Sequence, residues 1–207
     1  MAVYHEARCR QCRREGVKLM LKGERCKTEK CAVERRAYPP GMRMTKRRRA
    51  SSEYNVQLRE KQKIRRIYGV LERQFHTYFA KAAAKQGVTG ENLLRSLELR
   101  LDNIVYRLGF APSRSAARLM ALHNHFTVNN KKVNIPSFQL KEGDVIQVRA
   151  SSKDLAVIHS SLKGAKEIPE WLSVDKVKLT GTVVRVPVRA DIPVDVQEHL
   201  VVELYSK

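Results

Sequence analysis

Apolar residues in the middle of the chain recur every three or four positions, the spacing of helices buried along one face. Ser51, Ser52 and Glu53 read as a helix start. Beyond them Ile64, Ile67, Tyr68 and Leu71 fall at i, i+3, i+4 and i+7, with Arg59, Lys61, Lys63, Arg65 and Arg66 crowding the remaining positions. A second predicted helix puts Leu71, Phe75, Tyr78, Phe79 and Ala82 on one face. A third opens after Thr89 and Gly90 and carries Leu94, Leu97, Leu101, Ile104 and Leu108. These stripes read as core rather than as cofactor boxes or base-stacking platforms. Gly109, Pro112 and Ser113 break the third helix, and Ser113 is a good cap for a short helix that follows.

The period then drops from 3.6 to 2. Phe126 and Val128 alternate, as do Val133 and Ile135, with Asn129, Asn130, Lys131 and Lys132 between them. Asn tolerates positive φ better than other non-Gly residues, so Asn-Asn can make the hairpin turn and present the two lysines to solvent. Further strands are predicted at 145–148, at 184–188 and at 200–204, with a short helix carrying Leu155, Ile158 and Leu162. No internal repeat is visible.

Charge narrows the function. The chain has 207 residues with 41 Lys and Arg against 21 Asp and Glu, a net +20. Such a field opposes folding by self-repulsion unless a polyanion neutralises it. Nucleic acid is the first candidate and an anionic membrane the second. The excess is concentrated: residues 1–73 hold 22 Lys and Arg against 8 Asp and Glu, the pattern of a basic arm that orders on nucleic acid. No signal peptide and no apolar run of membrane-spanning length is visible. The only Trp, Trp171, lies far from the basic part. The chain therefore reads as cytoplasmic and without a membrane partner.

All four cysteines lie near the N-terminus: Cys9, Cys12, Cys26 and Cys31, spaced Cys-x2-Cys-x13-Cys-x4-Cys. Four thiolates around one tetrahedral ion suit Zn²⁺, and a four-iron iron–sulfur cluster is the alternative. Metal binding would supply the folding energy of so short a segment. Neighbouring cations, among them Arg13 and Arg14, favour the thiolate form and put a basic surface on a metal-folded knob. Tyr38-Pro39-Pro40-Gly41 then marks a turn, and Arg43, Lys46, Arg47, Arg48 and Arg49 read as an extended basic arm. In the short helix after Ser113, Arg114 and Arg118 lie four apart, in turns where free N–H groups and the helix dipole favour phosphate. His123 and His125 are further candidates, since imidazole can stack on bases or reach phosphate.

The segments LRLDNIVYRLGFAPSRSAAR, from Leu99, and VNNKKVNIPSFQLKEGDVIQV, from Val128, resemble the small RNA-binding module of the ribosomal protein S4 family. The resemblance extends over QLREKQKIRRIYGVLERQF, the ending LVVELYSK and the cysteine-bearing N-terminus. It implies an α+β fold in three parts. These are a metal-binding knob with a basic arm (1–45), a helical domain (46–98, completed by 190–207) and a helix-plus-antiparallel-sheet module (99–189). It implies binding to a multi-helix junction in the 5′ domain of small-subunit ribosomal RNA, nucleation of subunit-body assembly and an influence on decoding accuracy. Implied partners are neighbouring small-subunit ribosomal proteins and messenger RNA where it enters the subunit. The sequence departs from the family at His123-Asn124-His125 and Val128-Asn129-Asn130, where Asn stands in places usually held by Gly.

The candidate RNA contacts are thus Arg13, Arg14, Arg35 and Arg36 of the knob; Arg43, Lys46, Arg47, Arg48 and Arg49 of the arm; Arg59, Lys61, Lys63, Arg65 and Arg66 of the first long helix; and Arg114, Arg118, His123, His125, Lys131 and Lys132 of the module. Two rivals compete. A pseudouridine synthase can carry the same module and a catalytic Asp in an Arg-Leu-Asp string, which Arg100-Leu101-Asp102 matches. Yet Asp102 sits among core positions, where a cap or an ion pair is expected, and no remaining stretch is long enough for a catalytic domain. A free-standing RNA chaperone would not need the collinear termini. The expectation is a ribosomal, non-enzymatic RNA-binding protein.

Overall fold

The computed structural model describes residues 4, 6–41, 52–164 and 168–206. The chain divides into two compact units, residues 1–90 with 194–207, and residues 91–193.

The first unit opens on α1 (Cys9–Glu15), a 3-10 turn over Gly23–Cys26 and a short α2 (Ala32–Arg35). Gly16 ends α1 in the left-handed region, φ 75°, where its N–H still reaches the Cys12 carbonyl. Helix α3 (Glu53–Ile67) begins where the Ser52 hydroxyl accepts the Asn55 N–H at 3.3 Å. Its buried face carries Ile64 and Ile67, together with Gln57 and Lys61. Helix α4 (Glu72–Ala83) follows a turn at Gly69.

The chain returns at its end as α9 (Glu198–Tyr205), packed on α3. A strand was expected at 200–204, and the structure corrects that to a helix. A short apolar run is ambiguous by period alone. The helical spacing places Val201 in the core and lays Tyr205 against Phe79 and Phe75, ring centroids 4.5 and 6.3 Å away.

Helix α5 (Thr89–Glu98) crosses the boundary at Gly90, and α6 (Leu101–Arg107) and α7 (Arg114–Leu122) belong to the second unit. The expected continuous helix from Leu94 to Leu108 is broken at Leu99 and Arg100. Arg100 is extended and bridges Gln139, while the N–H groups of Leu101 and Asp102 donate to the carbonyls of Phe138 and Pro136. Those amides are taken by a passing segment instead of the preceding helical turn.

Strands β1 (Phe126–Val128), β2 (Lys131–Lys132), β3 (Val145–Val148), β4 (Leu172–Asp175) and β5 (Thr180–Val183) form one antiparallel sheet in the order β2-β1-β3-β5-β4. The helix α8 (Ala156–Lys163) precedes β4. The alternation at 184–188 does not form the expected strand. Val184 makes one bond to Trp171, and then Pro187, which has no N–H, interrupts the ladder.

The inner face of the sheet, Phe126, Val128, Ile146, Val148 and Val183, closes over Leu101, Ile104, Leu108 and Trp171. Gly181 keeps that contact close, since a Cβ there would meet Leu108 Cδ1 at 2.3 Å.

Candidate nucleic-acid interface

The four thiols are all free, with Cys12, Cys26 and Cys31 buried and Cys9 half-buried. The Lys22 backbone N–H donates to Cys26 Sγ at 3.4 Å. Burial pushes the Cys12 thiol above its usual pKa, against a backbone N–H bond from Leu19, and Cys26, Cys9 and Cys31 push it further up. The other three sulfurs therefore lie within electrostatic reach of Cys12. They are not drawn into a ligand set: among the described residues, no three His, Cys, Asp or Glu side chains form a group that could hold a metal ion. The expected metal-binding knob is present as a chain segment but not as a formed centre. Its donor chemistry, four thiols with backbone N–H groups aimed at sulfur, fits a thiophilic tetrahedral ion.

Of the knob's basic candidates, Arg14, Arg35 and Arg36 are exposed. Arg13 acts within the chain. It donates from Nε to the carbonyls of Arg36 (3.2 Å) and Tyr38 (2.9 Å) and from Nη2 to that of Pro39 (3.3 Å), while its guanidinium lies over the Tyr38 ring. It pins the segment leading to the arm. Arg43, Lys46, Arg47, Arg48 and Arg49 lie outside the described residues.

The five basic residues of α3 are not one patch. Arg59 and Arg66 both donate Nη1 to Glu15 Oε1, the first at 3.3 Å. Burial raises the Glu15 carboxyl above its usual range, with Arg66, Arg59 and Arg14 pulling it back. Lys61 and Arg65 meet Glu72 instead, at 2.6 and 3.1 Å, and the Tyr205 hydroxyl donates to the same carboxylate at 3.1 Å. Burial pushes Glu72 up, but the bond from Lys61, then Tyr205 and Arg65, outweighs it and leaves the carboxyl below its usual value. Burial and the facing Glu72 raise the Tyr205 hydroxyl. Lys63 lies 3.6 Å from Glu60. Lys61 therefore faces the interior of its unit, although its position in the sequence suggested solvent.

In the second unit the basic side chains are braced by a buried polar network that joins α6 to α7. Arg100 forks onto Asp102, Nε to Oδ1 at 3.0 Å and Nη2 to Oδ2 at 2.6 Å. Arg118 is 7% exposed and lies 3.8 Å from the same Oδ2, so it turns inward. Arg107 forks onto the buried Glu98, at 3.1 and 2.6 Å, and Asn103 donates to Glu98 Oε2 at 2.6 Å. Asn103 Oδ1 in turn accepts from Arg114 Nε at 2.7 Å, and the Arg114 guanidinium lies over the Tyr106 ring at 4.6 Å. Arg114 and Arg118 thus share a helix face, as their spacing predicts, but that face looks onto α6. Ser113 caps α7 by accepting the Ala116 N–H.

Glu98, Arg100, Asn103 and Arg107 were missed as participants. The available signal was their polarity inside a stretch whose other members are core. Asp102, committed to Arg100, has the ion-pair role expected of it.

At the hairpin, Asn129 and Asn130 have φ of 48° and 63°, and Lys131 and Lys132 are exposed. Asn124 is also left-handed, φ 62°. Its carbonyl accepts from Arg149 Nη1 at 3.2 Å, another contact missed in the sequence. His123 is exposed, whereas His125 Nδ1 pairs with Ser152 Oγ at 2.9 Å. Burial, then His123 and Arg149, lowers the His125 pKa.

A sheet with a braced arginine helix beside it, and a second basic unit carrying four thiols, define a protein of the S4-domain class. Residues 99–146 match the S4 domain family, and residues 3–98 match the family described as the ribosomal protein S4/S9 N-terminal domain. The chain is 59% identical to small ribosomal subunit protein uS4 of Heliobacterium modesticaldum, 58% to that of Citrifermentans bemidjiense and 57% to that of a Geobacter species, with the whole of each chain covered. It belongs to the small ribosomal subunit protein uS4 family, a structural family, and is not an enzyme. No helix among the described residues is long and apolar enough to cross a membrane.

Proposed function

We propose that the chain is a structural component of the small subunit of the cytoplasmic ribosome, and that it binds small-subunit ribosomal RNA at a multi-helix junction in the 5′ domain. There it nucleates assembly of the subunit body and contributes to translational accuracy, beside neighbouring ribosomal proteins and near incoming messenger RNA. The observation that carries this reading is the full-length likeness to uS4 proteins. The geometry supplies a means. Arg114 is held by Asn103 and Tyr106 at the start of α7. Lys131 and Lys132 project from the hairpin of the same unit, and Arg14, Arg35 and Arg36 lie open on the other. Phosphate contacts from such side chains supply affinity, while fixed spacing within each braced unit selects RNA shape.

We infer further that Cys9, Cys12, Cys26 and Cys31 would hold Zn²⁺, with a four-iron cluster as the alternative. The bound ion would supply the folding energy that this short segment lacks.

The test is a titration of the full chain against the 5′ domain of small-subunit ribosomal RNA and against an unrelated structured RNA of equal length, across a salt series. A preference for the ribosomal RNA that persists as salt rises supports the reading. Equal binding that salt erases would indicate a generic basic binder. Arg114→Ala should weaken ribosomal binding and flatten its salt slope by about 1, whereas Arg118, turned inward onto Asp102, is expected to act on stability instead.

A further inference from the structure

Within the first unit, Glu15 stands out as a carboxylate placed against the prevailing charge. It is the last residue of α1, directly before the left-handed Gly16, and its side chain is only 3% exposed. Arg59 and Arg66 lie seven residues apart on α3, about 10 Å along the axis, yet both bring Nη1 to the same Glu15 oxygen. Their side chains stay 27% and 17% exposed. The acid is therefore covered, and the two arginine side chains keep part of their surface in solvent. Each guanidinium has five N–H donors, of which Glu15 takes Nη1 from each arginine, while both Nε groups are buried with no acceptor among the described residues. One carboxylate oxygen orients the pair without saturating it.

We propose that Glu15 is a positioning residue for RNA binding: it ties Arg59 and Arg66 into a fixed pair that takes phosphate groups of a structured RNA. This rests on the reading of the chain as an RNA-binding protein. Two free arginines on a helix surface would each sample many rotamers and lose that freedom on binding. Fixing them beforehand removes the loss and sets the spacing at which phosphates are met. A masking role, with Glu15 keeping the arginines from RNA, would require them to be covered as fully as Glu15 is, and they keep 27% and 17% of their side-chain surface exposed. Burial raises the Glu15 carboxyl, as expected of an acid under cover, and its two arginines pull it back toward the charged form.

The two roles differ in sign, so Glu15→Gln separates them. The variant keeps the shape and removes the charge. Full-length protein would be titrated against the 5′ domain RNA and against the unrelated RNA. If Glu15 positions the pair, affinity for the ribosomal RNA falls about tenfold, the order of one charge-assisted hydrogen bond. Affinity for the unrelated RNA holds or rises, because one negative charge is gone. Increased binding to both RNAs, or no change, overturns the proposal. If the variant loses its native circular dichroism, Arg59→Lys with Arg66→Lys decides. That pair keeps both charges but not the forked donors, so discrimination should fall while the salt slope stays, and wild-type discrimination would overturn the proposal. Wild-type protein without any preference would overturn the functional reading and this inference with it. A wild-type preference that Glu15→Gln leaves intact overturns the inference alone.

Discussion

Asp102→Ala tests the buried network most directly. Asp102 sits between Arg100, which is 1% exposed, and Arg118, at 7%. Removing the carboxylate leaves two interior cations without their shared counter-charge. Breaking such a pair by deleting one partner costs about 3–5 kcal/mol, a large part of the ~5–15 kcal/mol that holds a domain together. With a urea slope of about 2 kcal/mol per molar, the unfolding midpoint should fall by about 2 M. Trp171, the only tryptophan, is fully buried in the core of the same unit, so its fluorescence reports this transition. Replacing the three charges together, Arg100→Met, Asp102→Leu and Arg118→Met, removes the whole buried cluster and should stay within about 1 kcal/mol of wild type. A midpoint shift below about 0.5 M for Asp102→Ala, on the same slope, would refute the assignment of the network as a buried ionic brace.

Three other outcomes are expected. Adding Zn²⁺ to metal-free protein should protect residues 6–41 from protease, and chelation should reverse this while the tryptophan transition stays unmoved. The Glu72 carboxyl is held below its usual 4.5, so its contribution is present at neutral pH and is lost as pH falls from about 4.5 through the folded value. Glu72→Gln should flatten that acid limb, seen by circular dichroism. Gly181→Ala should destabilise the second unit by about 1–3 kcal/mol in the tryptophan assay, because the new methyl meets Leu108.

Local signals in the sequence translated well. Ser52 and Ser113 cap the helices they were expected to cap, and Asn129 and Asn130 adopt the left-handed backbone their residue type tolerates. The buried stripe through Ile64 and Ile67 and that through Phe75 and Ala82 follow from spacing alone. The failures are all non-local. The break at Arg100 depends on a segment almost forty residues away that captures the helical amides. A strand expected through Leu200, Val201, Val202 and Leu204 is a helix, because packing against α3 and α4 decides the conformation of this short apolar run. In the candidate interface, spacing identified the cations but not their carboxylates. Glu15 lies more than forty residues before Arg59, and nothing in either neighbourhood announces the other.

The first unit is assembled from both ends of the chain, with α9 closing on α3 and Gln57 Nε2 donating to Glu203 Oε2 at 2.9 Å. This dictates an order of events during synthesis. Residues 91–193 emerge as a contiguous block and can fold as soon as they leave the ribosome that makes them. The first unit cannot finish until residues 194–207 have followed, so α3 spends most of the translation time without its partner helix. For that interval the most basic third of the newborn protein is incomplete, and released chains shorter than full length would carry its charge without its fold.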